Sequence, residues 1–213
     1  MRTRVFCDFD GTIAVQDVGN LLFRTFTDGG WREWVGRWIR GEISSRECLE
    51  AECALVQATE AELERFVLTQ EMDPHFPTFV QHCREKEIPI TLLSDGLDFY
   101  IERILAQNDL SDLPFYANHL ALDHGKLTPE FPYHDAGCGK CGNCKVFHIT
   151  QGRAPDEQVV YIGDGYSDRW AAQNADHVFA KKDLLKCCRE EGIACHEYAD
   201  LGDVLRILPT LLG

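Results

Sequence analysis

Arg4-Val5-Phe6-Cys7-Asp8-Phe9-Asp10-Gly11-Thr12 is the stretch on which the reading of this chain turns. A short apolar run cut off by Asp and Gly reads as a buried strand that ends in a polar turn. Three more runs repeat the pattern. Ile88-Pro89-Ile90-Thr91-Leu92-Leu93 stops at Ser94-Asp95-Gly96, and Gln158-Val159-Val160-Tyr161-Ile162 stops at Gly163-Asp164-Gly165. His177-Val178-Phe179-Ala180 stops at Lys181-Lys182-Asp183. Helical periodicity lies between and after these runs, over 76–85, 97–107, 145–151 and 167–174. Strands alternating with helices predict an α/β, Rossmann-like, mostly parallel sheet with helices on both faces. In such sheets ligands bind at the carboxyl ends of the strands, so polar groups far apart in sequence gather on one edge.

Residues 16–73 break this rhythm with helical periodicity and the aromatics Phe23, Phe26, Trp31, Trp34 and Trp38, but no strand. A helical insertion directly after the first turn is placed to form a cap over that edge. This divides the chain into a core of 1–15 with 74–213 and a cap of 16–73; the plainer alternative is an extension of the helical layer. The aromatics either line an apolar substrate pocket or cement the insertion's own core, the commoner fate of such side chains. A smaller excursion, Phe115 to Leu127 with the turn Asp123-His124-Gly125, predicts a β-hairpin.

The groups brought to the edge are Asp8, Asp10, Ser94, Lys145, Asp164 and Asp168. Crowded carboxylates repel one another unless a hard cation sits among them, and oxygen donors suit Mg²⁺. Lysine and serine suit phosphate oxygens instead. A metal, a carboxylate nucleophile and phosphate ligands together describe phosphoryl transfer. Singly, each residue has a plainer reading: Ser94 as a turn residue, Lys145 as a solvated lysine with Lys140 nearby, Asp168 as a first-turn helix acid.

In order and context these segments resemble the four short motifs of the haloacid dehalogenase superfamily: Asp8 to Thr12, Ser94, Lys145, and Gly163-Asp164-Gly165 with Asp168. The resemblance implies that Asp8 attacks phosphorus to form an aspartyl phosphate. Asp10 then protonates the leaving oxygen and later activates water. It implies Mg²⁺ held by Asp8, the backbone carbonyl of Asp10, and Asp164, with Asp168 steadying the metal's water shell. Thr12, Ser94, Asp95, Gly96 and Lys145 fall on the phosphate-binding side. An aspartate at position 10, where the superfamily's ion pumps carry threonine, favours hydrolysis of a phosphate ester.

The cysteine-rich segment before Lys145 and the stretch Asp95-Gly96-Leu97-Asp98-Phe99 are similar to the methionine-salvage phosphatases that act on 2-hydroxy-3-keto-5-methylthiopentenyl-1-phosphate, which carry Gly where this chain has Asp95. The phosphoserine phosphatases share the cap type. They use an acid nine positions after the nucleophile, here Asp17, and a cap arginine where this chain has Glu52, Arg46 being the nearest substitute. A glutamate there repels a carboxylate, which disfavours phosphoserine. The alternative from another class is a catalytically silent metal-binding scaffold.

Cys138-Gly139-Lys140-Cys141-Gly142-Asn143-Cys144, with His134 upstream, spaces its thiols as a Cys₃His zinc site would, or else holds plain reduced thiols. Either way, whatever orders this loop also places Lys145.

The 213 residues carry a formal net charge of −14. That sign repels nucleic-acid backbones and anionic lipids, so the expected partner is a small phosphate ester. It also requires a local cation at the site. No export leader is visible in Met1 to Asp10, and no apolar run approaches the roughly 18 residues that suggest a membrane span. Ten cysteines in such a chain predict reduced thiols in the cytoplasm, with Cys7 and Cys83 packing as small hydrophobes. The insertion also offers apolar surface through which a homodimer could form.

Overall fold

The computed structural model describes residues 2–123 and 125–212. In chain order the elements are β1 (Arg2–Asp8), α1 (Val18–Phe26), α2 (Trp31–Ile39), α3 (Ser45–Leu55), α4 (Glu60–Val67), α5 (Phe76–Glu85), β2 (Ile90–Leu97), α6 (Asp98–Gln107), β3 (Phe115–Asp123) and β4 (Lys126–Glu130). They continue with α7 (Lys145–Gly152), β5 (Glu157–Gly163), α8 (Arg169–Ala172), β6 (His177–Ala180), α9 (Lys182–Glu191), β7 (His196–Glu197) and α10 (Leu201–Leu211). The sheet runs β4-β3-β2-β1-β5-β6-β7. Every pairing is parallel except that of β3 with β4, which form the edge hairpin.

Successive side chains of a strand point to opposite faces, and β1 buries both. Val5 and Cys7 join the core cluster that includes Phe79 of α5, Ile101 of α6 and Val204 of α10. Phe6 joins the opposite cluster with Ile149 of α7, Ala171 of α8 and Leu184 of α9. A strand covered on both sides by helices has no solvent face, which explains its unbroken apolar run.

Four helices, α1 to α4, fill the region between β1 and α5. Two of them start with reciprocal capping boxes, Ser44 with Glu47 and Thr59 with Glu62. Leu22, Phe23, Leu49, Cys53, Leu63 and Val67 share a core cluster with β1, so the insertion is packed onto the sheet layer rather than tethered beside it. Arg103 of α6 grips Glu64 of α4, at 2.5 Å from its Nη2 to the carboxylate.

The helix expected over 167–174 is a 3₁₀ turn, Tyr166–Asp168, followed by the single-turn α8. The predicted hairpin turn includes His124, which lies outside the described residues. Three elements were not anticipated. β7 is two residues long, too short for a periodic signal; α9 opens on charges that read as a turn; and α10 carries Pro209 in its last turn.

Candidate active site

The register of the sheet assembles the edge. Asp8 pairs with Leu93 of β2, and Cys7 with Ile162 of β5, so Ser94 and Asp164 stand just beyond these partners on either side of β1. The buried Phe9 anchors the following turn, its carbonyl accepting the N–H groups of Ile13 and Ala14 at 3.0 and 2.9 Å. Gly11 sits at φ +74°, and a Cβ there would lie 2.3 Å from Asp164 Oδ2. Both the left-handed backbone and this approach require glycine.

Lys145, the first residue of α7, is 5% exposed and lies between two carboxylates. Its ammonium donates to Asp8 Oδ1 and, at 2.5 Å, to Asp168 Oδ1. Burial works against the ammonium, but Asp168 and Asp8 outweigh it and hold its pKa up. Burial pushes the Asp8 carboxyl well above the usual range; the charge of Asp168 adds to this and Lys145 opposes it. Asp168 is fully buried and saturated: Oδ1 also accepts from the Tyr161 hydroxyl at 2.5 Å, while Oδ2 accepts the N–H groups of Asp164 and Gly165 at 3.0 and 2.9 Å. Lys140, the alternative lysine, is exposed in the loop.

Asp10 is half-buried beside this group. Its Oδ1 accepts the N–H groups of Val18 and Gly19 at 3.0 and 3.4 Å. Its Oδ2 accepts the hydroxyls of Ser94 and Tyr100 at 3.0 and 2.8 Å. Burial, then the nearby Asp17, raises its pKa to about 7 against these bonds. A carboxyl poised there can give or take a proton near neutral pH. Gly96 makes room for the arrangement, since a Cβ would fall 1.7 Å from the Tyr100 hydroxyl. The Gly96 N–H donates to Ser94 Oγ at 2.9 Å. Tyr100 and its bond to Asp10 went unread in the sequence, where this residue sits in an apolar helical pattern.

Asp164 Oδ2 accepts from Lys182 at 2.8 Å, and that lysine also reaches the Gly11 carbonyl at 3.3 Å. Lys182, likewise unread, is set by a backbone φ of +46°, uncommon for a non-glycine residue. Thr12 is fully buried and donates to Asp164 Oδ1 at 3.5 Å, a place behind the carboxylate. Asp17 is the N-cap of α1, accepting the Asn20 N–H at 2.8 Å, and its pKa is raised by burial although its outer side remains exposed.

Asp95 faces the loop before α7, accepting the Asn143 N–H at 2.9 Å; burial raises its pKa. Glu52 is buried in the insertion beside Cys48, whose thiol donates to it at 3.5 Å, and burial lifts its pKa to about 8. Arg46 pairs with Glu50 at 2.9 Å and lies over the Phe131 ring. Of the insertion's aromatics, Phe26 packs on Phe66, whereas Trp38 meets Tyr166 edge-on and lines an open cleft of about 1310 Å³. Arg46, Asp95, Lys145 and the cysteine loop line the same cleft.

The carboxylate oxygens of Asp8, Asp164 and Asp168 lie within 4.8 Å of one another. Asp168 is already saturated, whereas Asp8 and Asp164 keep lone pairs beyond their lysine bonds, and one or two carboxylates is the usual complement for Mg²⁺. The raised pKa values of Asp8 and Asp164, driven first by burial, mark negative charge that a cation would offset. The donor set fits the ion. A second group of converging ligand atoms is Cys138, Cys141 and Cys144. His134 is not part of it; its Nδ1 bonds the Cys141 carbonyl at 2.9 Å. Among the described residues no helix is long and apolar enough to cross a membrane.

The profile of the haloacid dehalogenase-like hydrolases matches residues 5–173. A 2-hydroxy-3-keto-5-methylthiopentenyl-1-phosphate phosphatase of Brevibacillus brevis is 31% identical over 208 residues, 96% of this chain and 94% of that protein. One from Bacillus pumilus is 30% identical over 204 residues, covering 94% of this chain and 88% of that protein. A phosphoserine phosphatase solved as a phospho-aspartyl intermediate analogue superimposes with a TM-score of 0.72 over 96% of this chain and 98% of its own, at 19% identity. At that identity the likeness is one of fold.

Proposed function

The chain belongs to the haloacid dehalogenase-like hydrolases and is a phosphoric monoester hydrolase; from that premise we propose that it hydrolyses a small phosphorylated metabolite through an aspartyl phosphate on Asp8. The observation that carries this reading is the meeting, at one sheet edge, of a buried carboxylate (Asp8), a carboxyl poised near pH 7 (Asp10) and a buried ammonium (Lys145).

In this scheme Asp8 attacks phosphorus while Asp10 passes its proton to the departing oxygen. Asp10, now a carboxylate, takes a proton from water as that water attacks the phosphoaspartate, and Asp8 is regenerated. Val18 and Gly19 N–H groups and the Tyr100 and Ser94 hydroxyls hold the Asp10 side chain in place for both transfers. Lys145 neutralises charge gathering on the phosphoryl oxygens, and Asp168 positions Lys145. Asp8, Asp164 and the Asp10 carbonyl would hold Mg²⁺, which when bound supplies further charge neutralisation there. Thr12 and Lys182 act as positioning residues for Asp164.

For the substrate we propose an ester of the 2-hydroxy-3-keto-5-methylthiopentenyl-1-phosphate type. The named relatives support it. On this reading 16–73 acts as a cap and Trp38 supplies apolar surface to the cleft. The test is phosphate release from a panel holding this ester and phosphoserine, each with Mg²⁺ and with EDTA. Mg²⁺-dependent turnover with the keto ester preferred is the expected result. Preference for phosphoserine would overturn the substrate assignment, and turnover indifferent to EDTA would overturn the metal assignment. A zinc ion at the cysteine loop is a separate proposal, argued next.

A further inference from the structure

We infer that Cys138, Cys141 and Cys144 form a thiolate site for one Zn²⁺ ion, and that this ion is a clip holding the loop, the start of α7 and the edge of the helical insertion in one arrangement. The second half of this inference rests on the phosphatase reading; the first does not.

The three sulfurs lie within 4.8 Å of one another. Zn–S bonds of about 2.3 Å in a tetrahedral site put sulfurs roughly 3.8 Å apart, so a small contraction completes the geometry. A disulfide would use two of the thiols and leave the third without a purpose, whereas a metal uses all three. Elsewhere Cys7, Cys53 and Cys83 are buried singly as apolar side chains.

The segment also needs something to order it. Residues 131–144 contain no helix or strand, and Cys138, Gly139 and Lys140 are exposed. A structureless stretch of this length inside a compact domain usually has a function or an external restraint. Yet the segment folds back on itself. The Gly137 N–H donates to the Tyr133 carbonyl at 3.2 Å, and a Cβ on Gly137 would lie 2.4 Å from that of Cys144. The Cys141 N–H donates to Cys138 Sγ at 3.3 Å, a bond that favours sulfur carrying negative charge. His134 gives its Nδ1 to the Cys141 carbonyl, which pins the backbone of the loop and leaves the fourth position to solvent.

The loop's contacts give the clip its consequence. Cys144 is the N-cap of α7, immediately before Lys145. Asn143 donates its N–H to Asp95 Oδ1 and its side-chain amide to the carbonyls of Ser94 and Tyr116, each of the latter at 2.8 Å. The Gly142 N–H donates to Ser45 Oγ in α3 at 2.9 Å. One loop therefore fixes Lys145, the backbone beside Ser94, and the cap edge together.

The test is metal content of the full chain purified in reducing, zinc-replete buffer, read by mass spectrometry. About one zinc per chain is expected in the unmodified protein. It should fall to roughly a tenth of that in Cys138→Ser/Cys141→Ser and persist in Cys187→Ser. Cys138→Ser alone, at an exposed position, serves where the double variant fails to fold. Co²⁺ in place of zinc should give thiolate-to-metal absorption that the same variants lose. Asp8→Asn should keep its zinc while losing turnover, so failure of the phosphatase reading leaves this measurement intact. Removing zinc with a thiol-competitive chelator, in excess Mg²⁺, should lower kcat/KM about tenfold or more with the far-ultraviolet dichroism unchanged. Zinc below a tenth per chain in the unmodified protein, equal zinc in the cysteine variants, or a disulfide in place of the free thiols overturns the site. Full kcat/KM after zinc removal overturns the clip.

Discussion

At the sheet edge Asp8 ends β1, Asp164 follows β5, and Ser94 lies in β2 one residue past its last pairing with β1, so hydrogen-bond register sets the three side by side. In the insertion, Trp38, Ser45 and Arg46 line the cleft and Glu52 is buried; all four ride on α2 and α3, placed by how those helices pack. The first wall is rigid because moving one carboxylate means breaking a sheet. The second is placed by side-chain packing and by contacts such as Ser45 with Gly142 and Trp38 with Tyr166. The proposed function puts chemistry on the first wall and selection on the second, and single substitutions can test that division.

The largest effect is expected at the sheet edge. Asp8→Asn should lower turnover by about 10⁴-fold or more, because an amide is a poor nucleophile. Activity within about tenfold of the parent, measured on protein freed of contaminating phosphatase, would dissolve the distinction between the walls.

Asp10→Asn should cost about 10²–10⁴-fold on an alkyl phosphate and much less on a nitrophenyl ester, whose leaving group needs no proton. With the Asp10 pKa at about 7, the acid role is present below that pH and lost above it, while the base role runs the other way. Single-turnover phosphorylation by the alkyl ester should therefore slow as pH rises through about 7, and dephosphorylation as pH falls through it. Both limbs should flatten in the variant.

In the insertion the readout should be stability. The Glu52 pKa is raised by burial to about 8, so its carboxyl is accommodated without cost below the ordinary carboxylate range. That benefit is lost as pH climbs through about 8. Glu52→Gln should add about 1–3 kcal/mol at pH 9 and nothing at pH 4, by denaturant titration. A gain equal at both pH values would remove ionisation as its cause. The smallest effect belongs to Ser45→Ala, which removes one hydrogen bond worth about 0.5–1.5 kcal/mol and should raise KM a few-fold with kcat held. A fall in kcat instead would make the cap edge part of the chemistry.

The same division explains what could be read without coordinates. Strand ends announce themselves through neighbours in sequence, so Asp8, Ser94 and Asp164 were legible as one group, and the motif order added Lys145 and Asp168. The helices read over 76–85 and 97–107 were legible from their period, the second beginning one residue later, at Asp98. Tyr100 and Lys182 were not, because each meets its carboxylate only through tertiary packing: an apolar-looking helix position in one case, a left-handed backbone in the other. Asn143 was invisible for a related reason. Its bonds run to Ser94, Asp95 and Tyr116, residues that no local spacing connects to it. Glu52 could be named from its place in the insertion, but its burial could not.

Because β1 lies in the middle of the sheet, its neighbours are made long after it: Val5 pairs with Ile90 on one side and Val160 on the other. Such pairings close long loops and form slowly. A growing chain that has not reached β5 leaves one edge of β1 with unpaired backbone N–H and C=O groups, a hazard for association with other chains. It also lacks Asp164 altogether. The crowded acids of the edge therefore come together only when the last central strand docks, so the electrostatic cost of the site falls on a nearly finished sheet able to bear it.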